Sequence, residues 1–300
     1  MNTMSPALPA AHNNLPGIIC ILAGSAGFVC NDSVVKLIGA RLPVGEIMLL
    51  RGLCAMALLL PAAIWLGAIR VPVRLLMTPS FAIRLVGELG STFTFVIALM
   101  HMRLADLTGI QQFQPIAVTA ASALFLAEPV GWRRWLAALA GLSGVLLIVK
   151  PGTGAFEPFA ILAFICVLFV VLRDLGTRAV ATGVPSLLLA LSSAAAVMLG
   201  GFALKPAETW LMPDIRDCVM LATAAVFLVG GYLLITTGVR IGELAVVIPF
   251  RYSSAIFAVL LQWAIWSTLP DGLALLGMAI VAAAGLYAFH REQVRRAERN

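Results

Sequence analysis

Long apolar stretches broken by short polar clusters set the pattern of this chain. Residues 107–127, 179–204, 219–239 and 252–270 carry no charge at all. Each is close to the ~20 residues that an α-helix needs to cross the hydrocarbon of a bilayer. Proline, glycine and arginine gather between the stretches, as in Arg41-Leu42-Pro43, Glu128-Pro129-Val130-Gly131, Lys150-Pro151-Gly152 and Leu269-Pro270-Asp271-Gly272. Such residues stop helices and make turns. The pattern predicts ten spans, over 16–39, 44–67, 79–100, 105–127, 132–149, 158–177, 184–204, 217–238, 243–267 and 271–290. The expected fold class is an all-α integral membrane protein.

Composition agrees. Of 300 residues, 61% are hydrophobic and 11% charged, against about 25% charged in a soluble domain. A soluble fold must cover itself with polar surface, whereas lipid accepts apolar surface. The net charge of +6 does not point to nucleic acid, because the basic residues lie in short loops and at the C-terminus rather than in a patch. Cys20, Cys30, Cys54, Cys166 and Cys218 show no paired spacing, so neither a disulfide framework nor a metal site is expected. The first fifteen residues lack a basic region, and the apolar run that follows exceeds twenty residues. That predicts a retained first helix rather than a cleaved signal.

Lysine and arginine are unevenly shared between alternate loops. Arg70, Arg74, Arg133, Arg134, Arg173, Arg178, Arg240, Arg291, Arg295, Arg296 and Arg299 fall on one side. Arg41, Arg103, Lys150, Lys205 and Arg216 fall on the other. Cytoplasmic loops hold the excess, so both tails, 1–15 and 291–300, are expected in the cytoplasm of an inner-membrane protein.

Spacing also predicts an internal repeat of 16–150 and 158–290. Asp32, Lys36 and Pro43 recur as Asp174, Arg178 and Pro185, at a constant offset of 142 residues. Arg103-Leu104-Ala105-Asp106 recurs as Arg240-Ile241-Gly242-Glu243, which places Phe113-Gln114-Pro115 on Phe250-Arg251-Tyr252. Five spans per half is an odd number, so the halves enter the membrane from opposite sides. Carriers built from such inverted repeats hold their site near the midplane, between the halves.

The chain resembles the drug/metabolite transporter superfamily, in its ten-helix EamA type. The resemblance rests on Asn31-Asp32 with Lys36, on Arg51, on the stretch from Leu107 through Pro115 to Ala127-Glu128-Pro129, and on Gly141 and Gly144 of a glycine-rich fifth helix. The family's acidic turn after the ninth helix is missing, since Trp263-Ala264-Ile265-Trp266-Ser267 stands there. The resemblance implies a transporter of small metabolites. Its members include exporters of amino acids, aromatic ones among them, and importers of riboflavin and S-adenosylmethionine.

Few charges lie at depth: Asp32, Lys36, Arg51, Arg84, Glu88 and Arg251. Each is costly in lipid and should face the bundle interior. Asp32 with Lys36, and Asp174 with Arg178, stand one turn apart with the acid first, so each set reads as a structural ion pair or a gate. Arg51 either binds a carboxylate or phosphate or pairs with Asp32 or Glu46. Glu88 either carries a proton or pairs with Arg84. Arg251 and its repeat partner Gln114 are expected to meet the solute. Gln111, Gln112 and Gln114 could serve a zwitterionic solute, or satisfy the carbonyl that Pro115 leaves free. Phe93, Phe95, Phe113, Tyr232, Tyr252 and Trp263 lie at comparable depth, as walls for a flat solute or as ordinary packing. Gly87, Gly90, Gly141, Gly144, Gly230, Gly231 and Gly238 are expected to let helices approach closely. His101 reads as an interfacial residue.

No phosphate-binding G-x-x-x-x-G-K-[ST] stretch and no H-E-x-x-H occurs. The expected activity is therefore not enzymatic and needs no cofactor. It is secondary transport by alternating access, moving amino acids or related metabolites outward, with a small-molecule solute and the lipid bilayer as partners of a monomer. The alternatives are import of a flat vitamin or nucleoside-like solute, a polytopic membrane enzyme, and a passive channel.

Overall fold

A computed structural model describes residues 14–68, 71, 74, 76–125, 132–150, 158–180 and 184–299. The expectations for the N-terminal tail, Arg70, the turn at Ala127-Glu128-Pro129 and Pro151-Gly152 lie outside the described residues. So do the side chains of Arg134, Arg295, Arg296 and Arg299.

The described residues are helical, in the order α1 (Leu15–Ile38), α2 (Val44–Trp65), α3 (Pro79–His101), α4 (Leu104–Gln111), α5 (Gln114–Phe125), α6 (Trp132–Val149), α7 (Phe159–Ala179), α8 (Ser186–Ala203), α9 (Ile215–Ile241), α10 (Leu244–Val247), α11 (Ser253–Trp266) and α12 (Gly272–Arg299). Local chemistry sets the ends. Pro43 and Pro185 cap α2 and α8 from extended backbone, where a missing N–H costs nothing. Asp214 and Asp217 form a reciprocal capping box at the start of α9.

Eight helical segments among the described residues are long and apolar enough to cross a membrane, and a shorter apolar helix spans Trp135–Val149. Large apolar side chains such as Ile64, Leu139, Leu199, Val226 and Ile256 stand on the outer surface. A water-soluble chain would bury them; lipid receives them without cost. The chain is a multi-pass membrane protein.

Two expected spans are not continuous. The fourth breaks at Gln112-Phe113, between α4 and α5. The ninth divides into α10, a 3-10 stretch over Ile248–Tyr252, and α11. Pro115 and Pro249 lack the N–H that a continuous ladder needs, and each stands beside its break. The tenth also departs from expectation, because α12 stays helical to Arg299 instead of ending in a tail at 291.

The helices pack in a reciprocal order. α1 lies along α9, α3 along α7, α2 along α8, α6 along α12, and α4 against α11. Small residues set these seams. A Cβ on Gly144 would stand 2.7 Å from the Gly277 carbonyl oxygen, and one on Gly87 2.5 Å from the Arg173 amide. Gly141, Gly231 and Gly238 are similarly close to neighbours, and Gly90 abuts the Phe169 ring. Gly230 is the exception: nothing lies within 4 Å of its would-be Cβ. It faces outward, so helix approach does not require it.

Candidate functional site

The helix breaks frame a central cavity of about 1300 Å³. Exposed backbone at such depth is tolerated where it lines a cavity or is hydrogen-bonded within the protein. Gln112 meets that need across the molecule. Its Nε2 donates to the Tyr252 carbonyl at 3.1 Å and to Ser254 Oγ at 2.9 Å. The break in the first half is thus tied to the break in the second. This amide does not satisfy the carbonyl freed by Pro115, one of the two roles its sequence position suggests.

A second polar chain runs along the wall. Gln114 Nε2 donates to Gln111 Oε1 at 2.5 Å, and Gln111 Nε2 to Cys166 Sγ at 3.1 Å. The Cys166 thiol donates to the Ser91 carbonyl at 3.3 Å. α5, α4, α7 and α3 are linked in turn. Gln111, Gln114, Arg251 and Tyr252 all line the cavity, so the structure brings together residues far apart in sequence. Gly285 on α12 leaves room for the Tyr252 hydroxyl.

Among the described residues, five arginines (Arg51, Arg84, Arg173, Arg178 and Arg251) and three carboxylates (Asp32, Glu88 and Asp174) share the lining. The cavity is therefore electropositive. The acid–base pairs expected one turn apart do not take those partners. Asp32 accepts from Asn31 Nδ2 at 2.9 Å. Lys36 points away, donating to the Leu99 and Met102 carbonyls at 2.6 and 2.5 Å beneath the Trp266 ring. Asp174 is paired with its neighbour Arg173 at 2.9 Å, and Arg178 donates to Ser122 at 2.9 Å. A side chain pointing into open space has many partners in reach, and helix spacing alone does not choose among them. Glu88 and Arg84 do meet, through Ser193. The hydroxyl accepts from Arg84 Nη2 at 2.8 Å and lies 3.0 Å from Glu88 Oε2. Ser193 carries no charge and nothing in its sequence context marks it.

Phe93 and Trp263 are corrections. Phe93 is 37% and Trp263 58% exposed, and neither lines the cavity. Phe95 does. Two residues along a helix is about 200° of rotation, so Phe93 and Phe95 must face opposite ways. His101 stacks on Phe159, ring centroids 3.9 Å apart, at the end of α3.

The two ends of the bundle differ. At the end holding the C-terminus of α12, the cavity is lined by Ser186, Arg178, Phe289 and Gln293. The far end is cross-linked by polar contacts. Arg41 pairs with Asp214 at 2.8 Å and Asp217 at 3.3 Å. Glu208 accepts from the Gly45 amide at 3.0 Å, and Glu46 from the Leu211 amide at 3.1 Å. Arg103 pairs with Asp106 at 2.6 Å and reaches Asp271 at 3.7 Å, and Lys150 also pairs with Asp271. Gln262, 2% exposed, accepts from the Leu104 amide at 2.8 Å. The Arg41 guanidinium, and then the Asp217 amide, hold Asp214 down to about 2. Lys150 beside Asp271 holds that carboxyl below its ordinary value.

A helical membrane bundle with broken helices around one charged cavity has the architecture of a solute carrier. Residues 15–150 match the EamA-like transporter family. Over 281 residues the chain is 25% identical to the pseudopaline exporter CntI of Pseudomonas aeruginosa, covering 89% of this chain and 94% of that one. It is 21% identical to the S-adenosylmethionine uptake transporter of Rickettsia bellii, covering 92% and 94%. A solved structure superposes with a TM-score of 0.61 at 19% identity, over 95% of this chain and 98% of that one. That likeness concerns the fold.

Proposed function

We propose that the protein is a secondary transporter that exports amino acids or related metabolites across the inner membrane by alternating access. The observation that carries this reading is the contrast between the two ends: one charged cavity reaches one end, and polar links seal the other. With both termini in the cytoplasm, as the basic loops suggest, the structure is the inward-open state. Two inverted five-helix halves account for the packing order. Exchanging the halves turns the α1–α9 seam into the α7–α3 seam and leaves α2–α8 and α6–α12 unchanged. Gln111, Gln114, Arg251, Tyr252 and Arg51 are the proposed solute contacts.

Similarity to an exporter supports outward movement. Similarity to S-adenosylmethionine uptake transporters supports a second reading, uptake of a flat nucleoside-like solute, at comparable coverage. Asp32 and Glu88 are the proposed coupling groups. Asp32 suits proton exchange better, because Glu88 is already engaged by Ser193 and Arg84.

The test is flux from vesicles that hold the full chain and are loaded with a metabolite mixture. Accelerated counterflow of specific solutes is expected, and the sidedness of uptake separates export from import. Flux without counterflow would mark a channel, and no flux at all would sink the reading. Asp32→Asn is expected to remove pH dependence of flux; unchanged dependence would exclude Asp32 as the coupling group.

A further inference from the structure

Two buried arginines on the α2–α3–α8 wall stand out from the rest of the cavity. Arg84 is 6% exposed and Arg51 8%. Both line the cavity. Arg84 uses Nη2 on Ser193, while its Nε and Nη1 are buried with no hydrogen-bond partner among the described residues. Arg51 makes no hydrogen bond and no ion pair within 4 Å among the described residues. Leaving such donors unmade is expensive, because a buried cation that lacks acceptors bears its full desolvation cost. The other arginines of the lining differ: Arg173 is committed to Asp174, and Arg178 to Ser122.

Glu88 lies within electrostatic reach of both Arg51 and Arg84. Through Ser193 it is tied to Arg84, but it does not chelate either guanidinium. With Asp32, two carboxylates face these two guanidinium charges, within a lining whose described residues hold five arginines and three carboxylates. Asp32 also acts on Arg51 from α1, while Arg173 opposes Arg84 from α7. The wall thus presents the Arg51 guanidinium to the cavity without a hydrogen-bond partner among the described residues, and behind it two Arg84 N–H groups that are closed off and unpartnered.

We infer that Arg51 and Arg84 form an anionic subsite that binds a carboxylate, or another planar or tetrahedral oxyanion, of the transported solute. The inference rests on the carrier reading and narrows it: the solute bears at least one anionic group, and an otherwise identical amine without that group is rejected. Guanidinium forks match oxyanions with two parallel hydrogen bonds. Charge-assisted bonds in a dry site discriminate steeply against a solute that leaves the donors empty. Ser193 holds Arg84 at its orientation, and Glu88 sets how strongly the subsite attracts charge.

The test uses purified full-length protein and two readouts. The first is the melting temperature with matched probes: L-methionine, L-phenylalanine, L-histidine and L-arginine, each against its decarboxylated amine, with inorganic phosphate as the oxyanion arm. The second is flux from vesicles loaded with a metabolite mixture, the transported solutes being identified by mass. Acids or phosphate are expected to stabilise the protein and the amines are not. Arg84→Gln and Arg51→Gln are expected to weaken the stabilising probe tenfold or more, and Arg84→Lys less. Glu88→Gln is expected to tighten it, a change of sign that a merely structural role would not give. Any variant whose ligand-free melting temperature collapses is replaced by Ser193→Ala, which frees Arg84 without removing its charge and should weaken binding several-fold. Transport of solutes that lack an anionic group, or equal binding of acid and amine, would overturn the subsite and leave the carrier standing. Acid-selective stabilisation without flux would sink the carrier and keep the subsite. Neither stabilisation nor flux would sink both.

Discussion

The same short sequence signature closes one end of the molecule and leaves the other end without that closure. Arg103-x-x-Asp106 and Arg240-x-x-Glu243 share that signature and are counterparts in the expected repeat. At the far end, Arg103 pairs with Asp106, reaches Asp271, and donates to the Leu269 carbonyl at 3.2 Å. At the cavity end, no ion pair joins Arg240 and Glu243 among the described residues, and the Glu243 amide donates to Asn14 at 2.8 Å. A motif in two copies therefore does not describe one interaction made twice. On the proposed reading of two inverted halves, it describes a contact made at one end at a time.

Four substitutions or conditions test that contrast. The largest effect is expected at Gly45, inside the sealed end. A Cβ there would stand 2.8 Å from Leu204 Cβ and 2.9 Å from the Gly201 carbonyl oxygen. Gly45→Leu should destabilise the protein by about 2–3 kcal/mol, against less than about 0.5 kcal/mol for Gly230→Leu in open space, as read by thermal unfolding in detergent. Equal costs would mean that the far end is not tightly packed. Second, Arg41→Gln with Asp271→Asn removes partners from both far-end clusters. These side chains are half exposed, so each pair is worth little, ~0–1 kcal/mol. Together they should move the balance between end states about fivefold. The readout is thiol labelling of a cysteine placed at Ser186, which should slow from the α12 side.

Third comes pH. A carboxyl held near 2 contributes stability that is present above its ordinary value of about 4 and is lost as pH falls toward 2. The Arg41–Asp214 link should therefore persist unchanged from pH 8 to pH 5. The thiolate is the reactive form, so labelling of exposed Cys218, one turn along α9, is read relative to a free thiol at the same pH; that ratio should stay flat over the window and rise only below about pH 4. A rise near pH 6 would show that other groups hold the seal. The smallest effects separate Phe95 from its neighbours on the outer surface. Phe93→Ala and Trp263→Ala should change solute affinity by less than about twofold, whereas Phe95→Ala should weaken it several-fold.

Much of the fold was legible because hydropathy and helix stops are local. α6 begins and ends where the apolar run does, and Pro43, Pro79 and Pro185 mark helix starts directly. The breaks in the fourth and ninth spans were less legible. Pro115 and Pro249 signal a lost donor, but transmembrane helices often absorb one, and only the packing around the cavity decides. The candidate site divides in the same way. Charge at depth pointed to Arg51, Arg251, Asp32 and Glu88, all of which line the cavity. It did not point to Ser193, whose role depends on α8 lying beside α3. Nor could depth alone tell Phe93 from Phe95, because depth ignores which way a helix is turned.

The Gln112 amide has one further consequence. A continuous α-helix resists bending because its hydrogen-bond ladder must be broken to flex it. Where α4 gives way to α5, and α10 to α11, that ladder is already interrupted. Both interruptions are compliant joints in otherwise stiff rods, and Gln112 fastens one joint to the other through Tyr252 and Ser254. A displacement at either joint must therefore carry its counterpart along or break these two hydrogen bonds, as in a universal coupling.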